Sequence, residues 1–316
     1  MEKELKLQVP LHHLGGITVF GNVLVSPGLL AKCGEDGRAV TWLSQSGRFV
    51  GRMEGPVSGN VLLRKAQWQT ALDEGARLAI ARNMVAGKIQ NARTSVLRSA
   101  REAEDAADAQ ALGETERALA KALERLPGAS DAGALRGIEG DAASAYFGSF
   151  TRMVRQDRDT FAFTQRSRRP PKDPINALLS FLYALLMSDC LGALQGAGLD
   201  PQGGFFHVLR SGRPALALDL MEEFRAVVAD RLALTLINRK QVARESFDFR
   251  DGGSVYLNEK GRKVVVVAYQ ERKKEVLQHP LLDQKVSVGL LPCIQARLLA
   301  RTLRGDIQAY PPFLIR

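Results

Sequence analysis

Cysteine, histidine and tryptophan are scarce in this 316-residue sequence, at three, four and two residues. Cys33, Cys190 and Cys293 lie far apart, with no C-x-x-C spacing. An odd, dispersed set argues against a disulfide framework or a cysteine-rich zinc site and fits a reducing, cytoplasmic setting. The opening MEKELKLQV alternates charged and apolar groups, unlike the apolar segment of a signal peptide. The longest apolar run, Ala177 to Met187, is interrupted by Ser180. It is far shorter than the roughly 20 residues that span a bilayer, so it predicts a buried helix and no membrane partner. There is no internal repeat, low-complexity tract, P-loop or G-x-G-x-x-G element.

What the chain does have is positive charge. The formal net charge is +10 and the pI is about 9.7. Such an excess favours a polyanionic partner (DNA, RNA or an anionic membrane), although scattered surface lysine and arginine account for it equally well. Hydrophobic residues at 45% and charged residues at 25% are ordinary for a globular protein. The length accommodates one large or two smaller domains.

Residues 1–59 read as a β-rich domain. Leu5 to Leu11 alternates, Ile17 to Gly21 is a short buried strand, and Pro27 to Cys33 is a short helix closed by Gly34. Ala39–Ser44 and Arg48–Met53 read as strands joined by Gln45, Ser46 and Gly47. Residues 60–316 read as a mainly helical domain, giving an α+β class overall. One long amphipathic helix is expected from Asn60 to about Ala103, displaying Arg64, Lys65, Arg82, Lys88, Arg93 and Arg98. Further helices are expected over 106–126, over 134–155, and after the Asp173–Pro174 cap. A β-hairpin is expected within 247–270, with Ser254–Asn258 and Lys263–Gln270 as its strands. A last helix is expected from about Pro280 to Leu303.

The stretch with most chemistry is GGFFHVLRSGRPALALDLMEEFR, Gly203 to Arg225. His207 sits in a glycine-rich apolar turn. On the following helix, Asp219 and Glu222 lie three residues apart, on one face. One imidazole and two carboxylates suit a hard cation such as Mg²⁺ or Mn²⁺. A surface helix with an acidic face is the competing reading. Ala226, Ala229 and Ala233 continue that face, however, where a solvated helix would carry long polar groups, so the acidic pair is expected at the mouth of a packed groove.

A second acidic candidate is Glu139. Leu135, Glu139, Ala142 and Tyr146 run at i, i+4, i+7 and i+11, which puts a carboxylate on or beside an apolar stripe. There it must be paired or bound to a cation. Gly137 and Gly140 flank it, as if another backbone or a ligand came close. An edge glutamate paired with arginine is the alternative. Arg152 to Lys172 holds seven basic residues (Arg152, Arg155, Arg158, Arg166, Arg168, Arg169, Lys172) against Asp157 and Asp159. It reads as a phosphate-tracking patch or as a solvated linker.

These stretches together resemble one family. Pro10–Gly21 (PLHHLGGITVFG), Arg136–Phe147 (RGIEGDAASAYF), Arg166–Leu186, Gly204–His207 (GFFH) and Leu216–Arg225 (LALDLMEEFR) occur in the order found in the CRISPR-associated integrase, the first-numbered Cas protein of spacer acquisition. The subtype I-C branch is the nearest in appearance. The resemblance implies a β-rich domain that forms a homodimer and a helical catalytic domain. It implies a metal-dependent DNA endonuclease/integrase that inserts short duplex fragments by 3′-hydroxyl attack on a phosphodiester. It carries the metal ligands over to Glu139, His207 and Glu222, with Asp219 accessory, orienting His207 or binding a second ion. Arg152, Arg155, Arg166, Arg168, Arg169, Lys172 and Arg225 would face double-stranded DNA. Implied partners are the second-numbered Cas protein and, in some subtypes, the fourth-numbered Cas nuclease. One departure is expected: the hairpin with which members usually begin has no counterpart ahead of Leu5, which bears on dimer formation and partner docking. A DNA-repair nuclease and a non-catalytic nucleic-acid scaffold are the alternative functions.

Overall fold

A computed structural model of the chain describes residues 7–45, 47, 49–56 and 61–315. The chain divides into two compact units, Met1–Gly59 and Asn60–Arg316. The class is α+β.

The first unit is a three-stranded sheet in the order β1 (Gly16–Phe20), β2 (Ala39–Leu43), β3 (Phe49–Met53). β1 and β2 are parallel and β2 and β3 antiparallel. Parallel neighbours cannot be joined by a tight turn. The crossover is α1 (Pro27–Glu35), started by Ser26, whose side chain accepts the Leu29 N–H, with Pro27 in the first turn. Cys33, Val40 and Leu43 form its small core. The alternating stretch expected at Leu5–Leu11 begins outside the described residues, and its described end enters a 3₁₀ turn at Leu11–His13. Ser46 and Arg48, expected around the β2–β3 turn, also lie outside the described residues, as do Gly59 and Asn60.

In the second unit the long first helix is two helices, α2 (Val61–Leu72) and α3 (Glu74–Arg101). Asp73 causes the break. Its backbone is extended (φ −79°, ψ 114°) and its carboxylate accepts the Ala76 N–H, so it caps α3. α4 (Ala106–Arg125) packs along α3, and α5 (Ala132–Gly148) follows, capped by Asp131. α6 (Pro174–Gly196) starts at the expected Asp173 cap. At 23 residues, with a mean hydropathy of 1.8 over its most apolar window, it is long and apolar enough to cross a membrane. Within the fold, 61% of that window is buried, so it serves as a core helix. α7 (Ala215–Glu222), a π-helical turn at Arg225–Asp230 and α8 (Arg231–Asn238) then pack on α3 and α6.

Two expectations fail after residue 247. The hairpin is β4 (Phe247–Phe249) with β5 (Val255–Leu257), and Lys263–Gln270 is not a strand but lies in α9 (Glu259–Lys274). Asn258 caps α9 at Gly261, and burial follows the helical spacing Gly261, Val265, Tyr269. The four consecutive valines have strand propensity, and packing on one face overrides it. The last helix begins at Leu291, not Pro280. β6 (Val276–His279) and β7 (Gln284–Ser287) form a hairpin before α10 (Leu291–Leu303). Asp283 takes a left-handed φ of 50° in that turn, and His279 Nδ1 accepts the N–H groups of Leu281 and Leu282.

Candidate functional site

The His207 loop is built around Asp219. The Asp219 carboxylate is fully buried at the end of the loop and accepts four hydrogen bonds. Oδ2 takes the N–H of Phe205 at 2.6 Å and of Phe206 at 3.0 Å; Oδ1 takes the His207 N–H at 2.9 Å and bonds His207 Nδ1 at 2.6 Å. Such wrapping needs the loop backbone close to α7. A Cβ on Gly204 would stand 2.7 Å from the Ala215 carbonyl carbon and 2.8 Å from Asp219 Oδ2, so only glycine fits there. A carboxylate has about four lone-pair positions, and here all are used. These four contacts tie the Asp219 carboxylate to the loop backbone and to the His207 ring.

With Nδ1 committed to Asp219, His207 Nε2 faces Glu222 Oε1 at 3.7 Å. Glu222 is the next inward carboxylate along α7, and its side chain is 4% exposed. Two cationic groups and an imidazole surround it. Arg225 reaches Oε1 at 3.0 Å, Lys88 Nζ lies 2.7 Å from Oε2, and the His207 ring faces Oε1. Lys88 also hydrogen-bonds and ion-pairs with Glu139, which comes from α5. Its ammonium thus sits between the two carboxylates. Burial pushes the Glu222 pKa up, but Arg225, Lys88 and His207 outweigh it and hold it at about 2. The Oε2 atom is buried, and the Lys88 ammonium is paired with it.

The expected residues Glu139, His207, Asp219 and Glu222 therefore meet in one place. Among the described residues, no group of three or more His, Cys, Asp or Glu side chains is drawn together as a ligand cage. The cation at the centre is Lys88. Its ammonium stands between the two carboxylates. One imidazole nitrogen and two carboxylates, one of them with the buried Oε2, form a donor set that suits Mg²⁺ or Mn²⁺.

The sequence pattern alone displays Lys88 as a surface charge. The signal that places it inside is the spacing Met84, Lys88, Asn91, Ser95, at i, i+4, i+7 and i+11. Met84 and Asn91 are each 1% exposed, and the Lys88 side chain is 17% exposed. Gly137 and Gly140 do not mark a close approach, because a Cβ at either would meet nothing within 4 Å. The alanine face is buried as expected: Ala226, Ala229 and Ala233 are at most 5% exposed.

Behind the carboxylates lies a polar layer. Asp230, 1% exposed, accepts hydrogen bonds from Tyr183 at 2.6 Å and Tyr146 at 3.0 Å. Its pKa is raised to about 6, because burial outweighs both hydroxyls and the charges of Arg225 and Arg166. The Tyr183 ring is flanked by the guanidinium groups of Arg225, 4.9 Å from its centroid, and Arg166, 5.2 Å away. Arg166 also donates to Asn176 Oδ1 and Ser180 Oγ, so these two polar residues of α6 are partnered internally. Two of the arginines expected to face DNA, Arg166 and Arg225, thus turn inward. Arg152 and Arg158 both pair with the buried Asp108, and Arg155 pairs with Glu102. Arg168, Arg169 and Lys172 are exposed.

Comparison with known proteins agrees with this architecture. The family model of "CRISPR associated protein Cas1" matches residues 1–271. A "CRISPR-associated endonuclease Cas1 1" of Moorella thermoacetica is 57% identical over 316 residues, covering 100% of this chain and 92% of the relative. A solved Cas1 protein of Thermotoga maritima superimposes with a TM-score of 0.79 at 27% identity, over 96% of this chain and 90% of that one. A chain from a partial Cas6-RT-Cas1–Cas2 complex superimposes with a TM-score of 0.70 at 26% identity, over 98% and 90%. With 271 residues matched by the family model and a relative of near-equal length at 57% identity, this chain belongs to the Cas1 family of CRISPR-associated proteins.

Proposed function

We propose that this chain is a metal-dependent DNA endonuclease and integrase that inserts short duplex fragments into a CRISPR array. The observation that carries the proposal is that two carboxylates from different helices share one cation beside an imidazole whose other nitrogen is fixed. Glu139, Glu222 and His207 would hold Mg²⁺ or Mn²⁺. Bound there, the ion supplies Lewis acidity toward the attacking hydroxyl and the charge developing at phosphorus.

The rest is done by the chain. Asp219 accepts the Nδ1 proton of His207, which fixes the tautomer and leaves the Nε2 lone pair facing the carboxylates. Arg225 keeps Glu222 ionised and braces it through Tyr183. In the reaction, the 3′-oxygen of a short duplex forms a bond to phosphorus of a target phosphodiester as the bond to the departing 3′-oxygen breaks. The attacking hydroxyl gives up its proton and the departing oxygen takes one from solvent. With water as nucleophile the same site cleaves. No side chain is consumed.

Residues 60–316 would be the catalytic domain and residues 1–59 a dimerisation domain. Double-stranded DNA, a second copy of the chain and Cas2 are the proposed partners, and Cas4 a further one. The solved relative in a Cas1–Cas2 complex supports the Cas2 assignment.

The test is incubation with a supercoiled repeat-bearing plasmid, a labelled duplex and Mn²⁺. The wild type is expected to yield joined products, and His207→Ala to lose joining and cleavage while still binding DNA. Cleavage without joining would instead identify a repair nuclease. Full activity in Glu139→Ala would show that the site lies elsewhere.

A further inference from the structure

We propose that Lys88 is a built-in occupant of the metal site, a cation carried by the chain that a divalent ion must displace. The inference rests on the metal-site reading above and adds to it how the site is kept intact and how loading is regulated. Three observations support it. First, the Lys88 ammonium contacts both carboxylates that would bind the ion, pairing with Glu139 and lying 2.7 Å from Glu222 Oε2. Second, the three side chains are largely enclosed, at 17% exposure for Lys88, 19% for Glu139 and 4% for Glu222. In such a setting two carboxylates without a cation between them repel strongly. Third, Glu222 Oε2 is buried, and the cation paired with it at 2.7 Å is this ammonium. The contact is a charge pair, which a second cation can replace.

Lysine suits the task. Its charge is a point on a flexible four-carbon stem, so it can withdraw without disturbing α3, whereas arginine would lock both carboxylates through fixed forks. Arg225 has the fixed role, on the Oε1 side of Glu222. The chain thus has one permanent and one exchangeable cation at the same carboxylate. The consequence is that metal affinity is held down by competition.

The test is Mn²⁺ titration of the full-length protein by calorimetry, comparing wild type with Lys88→Met, which keeps the stem and removes the charge. Arg93→Met serves as the control for general field effects, since Arg93 lies on the same helix and pairs with Glu116 at 2.5 Å. Lys88→Met is expected to bind Mn²⁺ roughly tenfold more tightly or better, given charges a few ångströms apart, with Arg93→Met within about twofold of wild type. Without metal, Lys88→Met should melt lower than wild type, and Mg²⁺ should raise its melting temperature by more. In ¹⁵N-lysine-labelled wild type, a protected Lys88 ammonium signal should disappear on adding Mg²⁺; this arm does not depend on any variant folding. Unchanged or weaker Mn²⁺ binding by Lys88→Met, or an ammonium signal indifferent to Mg²⁺, overturns the proposal. His207→Ala separates this from failure of the metal reading. If His207→Ala binds Mn²⁺ as wild type does, the metal site itself is misplaced.

Discussion

Glu222 and Glu223 are consecutive in the chain, almost fully buried, and point into regions of opposite character. Glu222 enters a centre formed by the cations Lys88 and Arg225 and the His207 ring, and its pKa is held at about 2. Glu223 faces the C-terminal tail. It accepts hydrogen bonds from Tyr310 Oη at 2.5 Å, the Phe313 N–H at 2.7 Å and Gln295 Nε2 at 3.1 Å, and among the described residues no ion pair reaches it. Burial outweighs these three donors and pushes its pKa up to about 8. Asn91 completes the second region. Its amide donates to the carbonyls of Glu223 and Phe313, each at 2.8 Å, and its Oδ1 accepts the Ile315 N–H. On α3, Asn91 is less than one turn beyond Lys88, and Gly87 gives the tail room: a Cβ there would stand 2.9 Å from Pro312 Cβ. The same two helices therefore present charge on one side and a dry clamp on the other. What differs is the partner, not the residue. A carboxylate surrounded by cations stays an ion available for chemistry. One surrounded by neutral donors serves packing, and the chain end it grips holds α3 and the end of α7 in register.

The largest expected effect separates chemistry from packing. Glu222→Gln should lower joining and cleavage by roughly three orders of magnitude, as for loss of a group acting at the reacting centre, with little loss of folded protein. Glu223→Ala should do the reverse to stability. It strands three buried donors, at about 1–3 kcal/mol each before relaxation, so a net loss on the order of 3 kcal/mol is expected in denaturant titrations. Glu223→Gln, which keeps an acceptor and the shape, should recover most of that. Equal stability of Glu223→Ala and wild type would reduce the clamp to ordinary packing. Deleting residues 306–316 removes Tyr310, Phe313 and Ile315 together. It should destabilise the protein at least as much as Glu223→Ala and lower activity even in the fraction that stays folded.

Much of the cluster around Glu222 was legible in the sequence, because its signals are local. His207 in a glycine-rich turn, and Asp219 and Glu222 at i, i+3, can be read from adjacent residues, and Glu139 shows as a carboxylate on an apolar stripe. Lys88 carried the same kind of signal, a charge among Met84, Asn91 and Ser95. Its helix displayed several other cations, so it did not stand out as an inward one. Arg166 and Arg225 show the converse. Composition shows a basic stretch around Arg166, but only the fold reveals that its guanidinium group and that of Arg225 both stack on Tyr183. The tail clamp was not legible at all. It joins Tyr310 to Glu223 and Ile315 to Asn91, across 87 and 224 residues. In the last third of the helical unit, the valine run and the Pro280 segment were misread. A run of β-branched residues fits a helix or a strand equally until packing chooses one face.

A smaller effect distinguishes the two glutamates by pH. The folded-state pKa of Glu223, near 8, lies above its ordinary value of 4.5. Its contribution to stability is therefore full below about pH 4.5, falls as pH rises, and is gone above about 8. Glu222 has the opposite sign. Its contribution is full above about 4.5 and is lost as pH falls toward 2. Asp230, raised to about 6, adds to the Glu223 slope only up to that pH. Melting temperature against pH should therefore decline from about 6 to 8 in wild type, and Glu223→Gln should flatten that interval while leaving the acid limb unchanged. A Glu223→Gln profile that still declines there would assign the slope to another group.

The smallest expected effect extends the comparison to the surface, where charge is neither held inward nor clamped. Arg168, Arg169 and Lys172 are exposed, whereas Arg166 and Arg225 are committed to Tyr183, Asn176 and Glu222. Exposed cations bind DNA by releasing counterions from phosphate, each contact adding about 0.9 to the slope of log affinity against log salt. The triple substitution Arg168→Ala, Arg169→Ala, Lys172→Ala should weaken duplex binding near physiological salt. It should also make that slope shallower by roughly 2 to 3, with the rate of joining by bound complexes unchanged. Arg225→Ala should behave in the opposite way, leaving the slope intact and losing joining, because its charge serves Glu222 and not the phosphate backbone. If Arg225→Ala flattened the salt response as much as the triple variant does, the inward arginine would be a DNA contact after all, and the division between chemistry inside and recognition outside would fail at that residue.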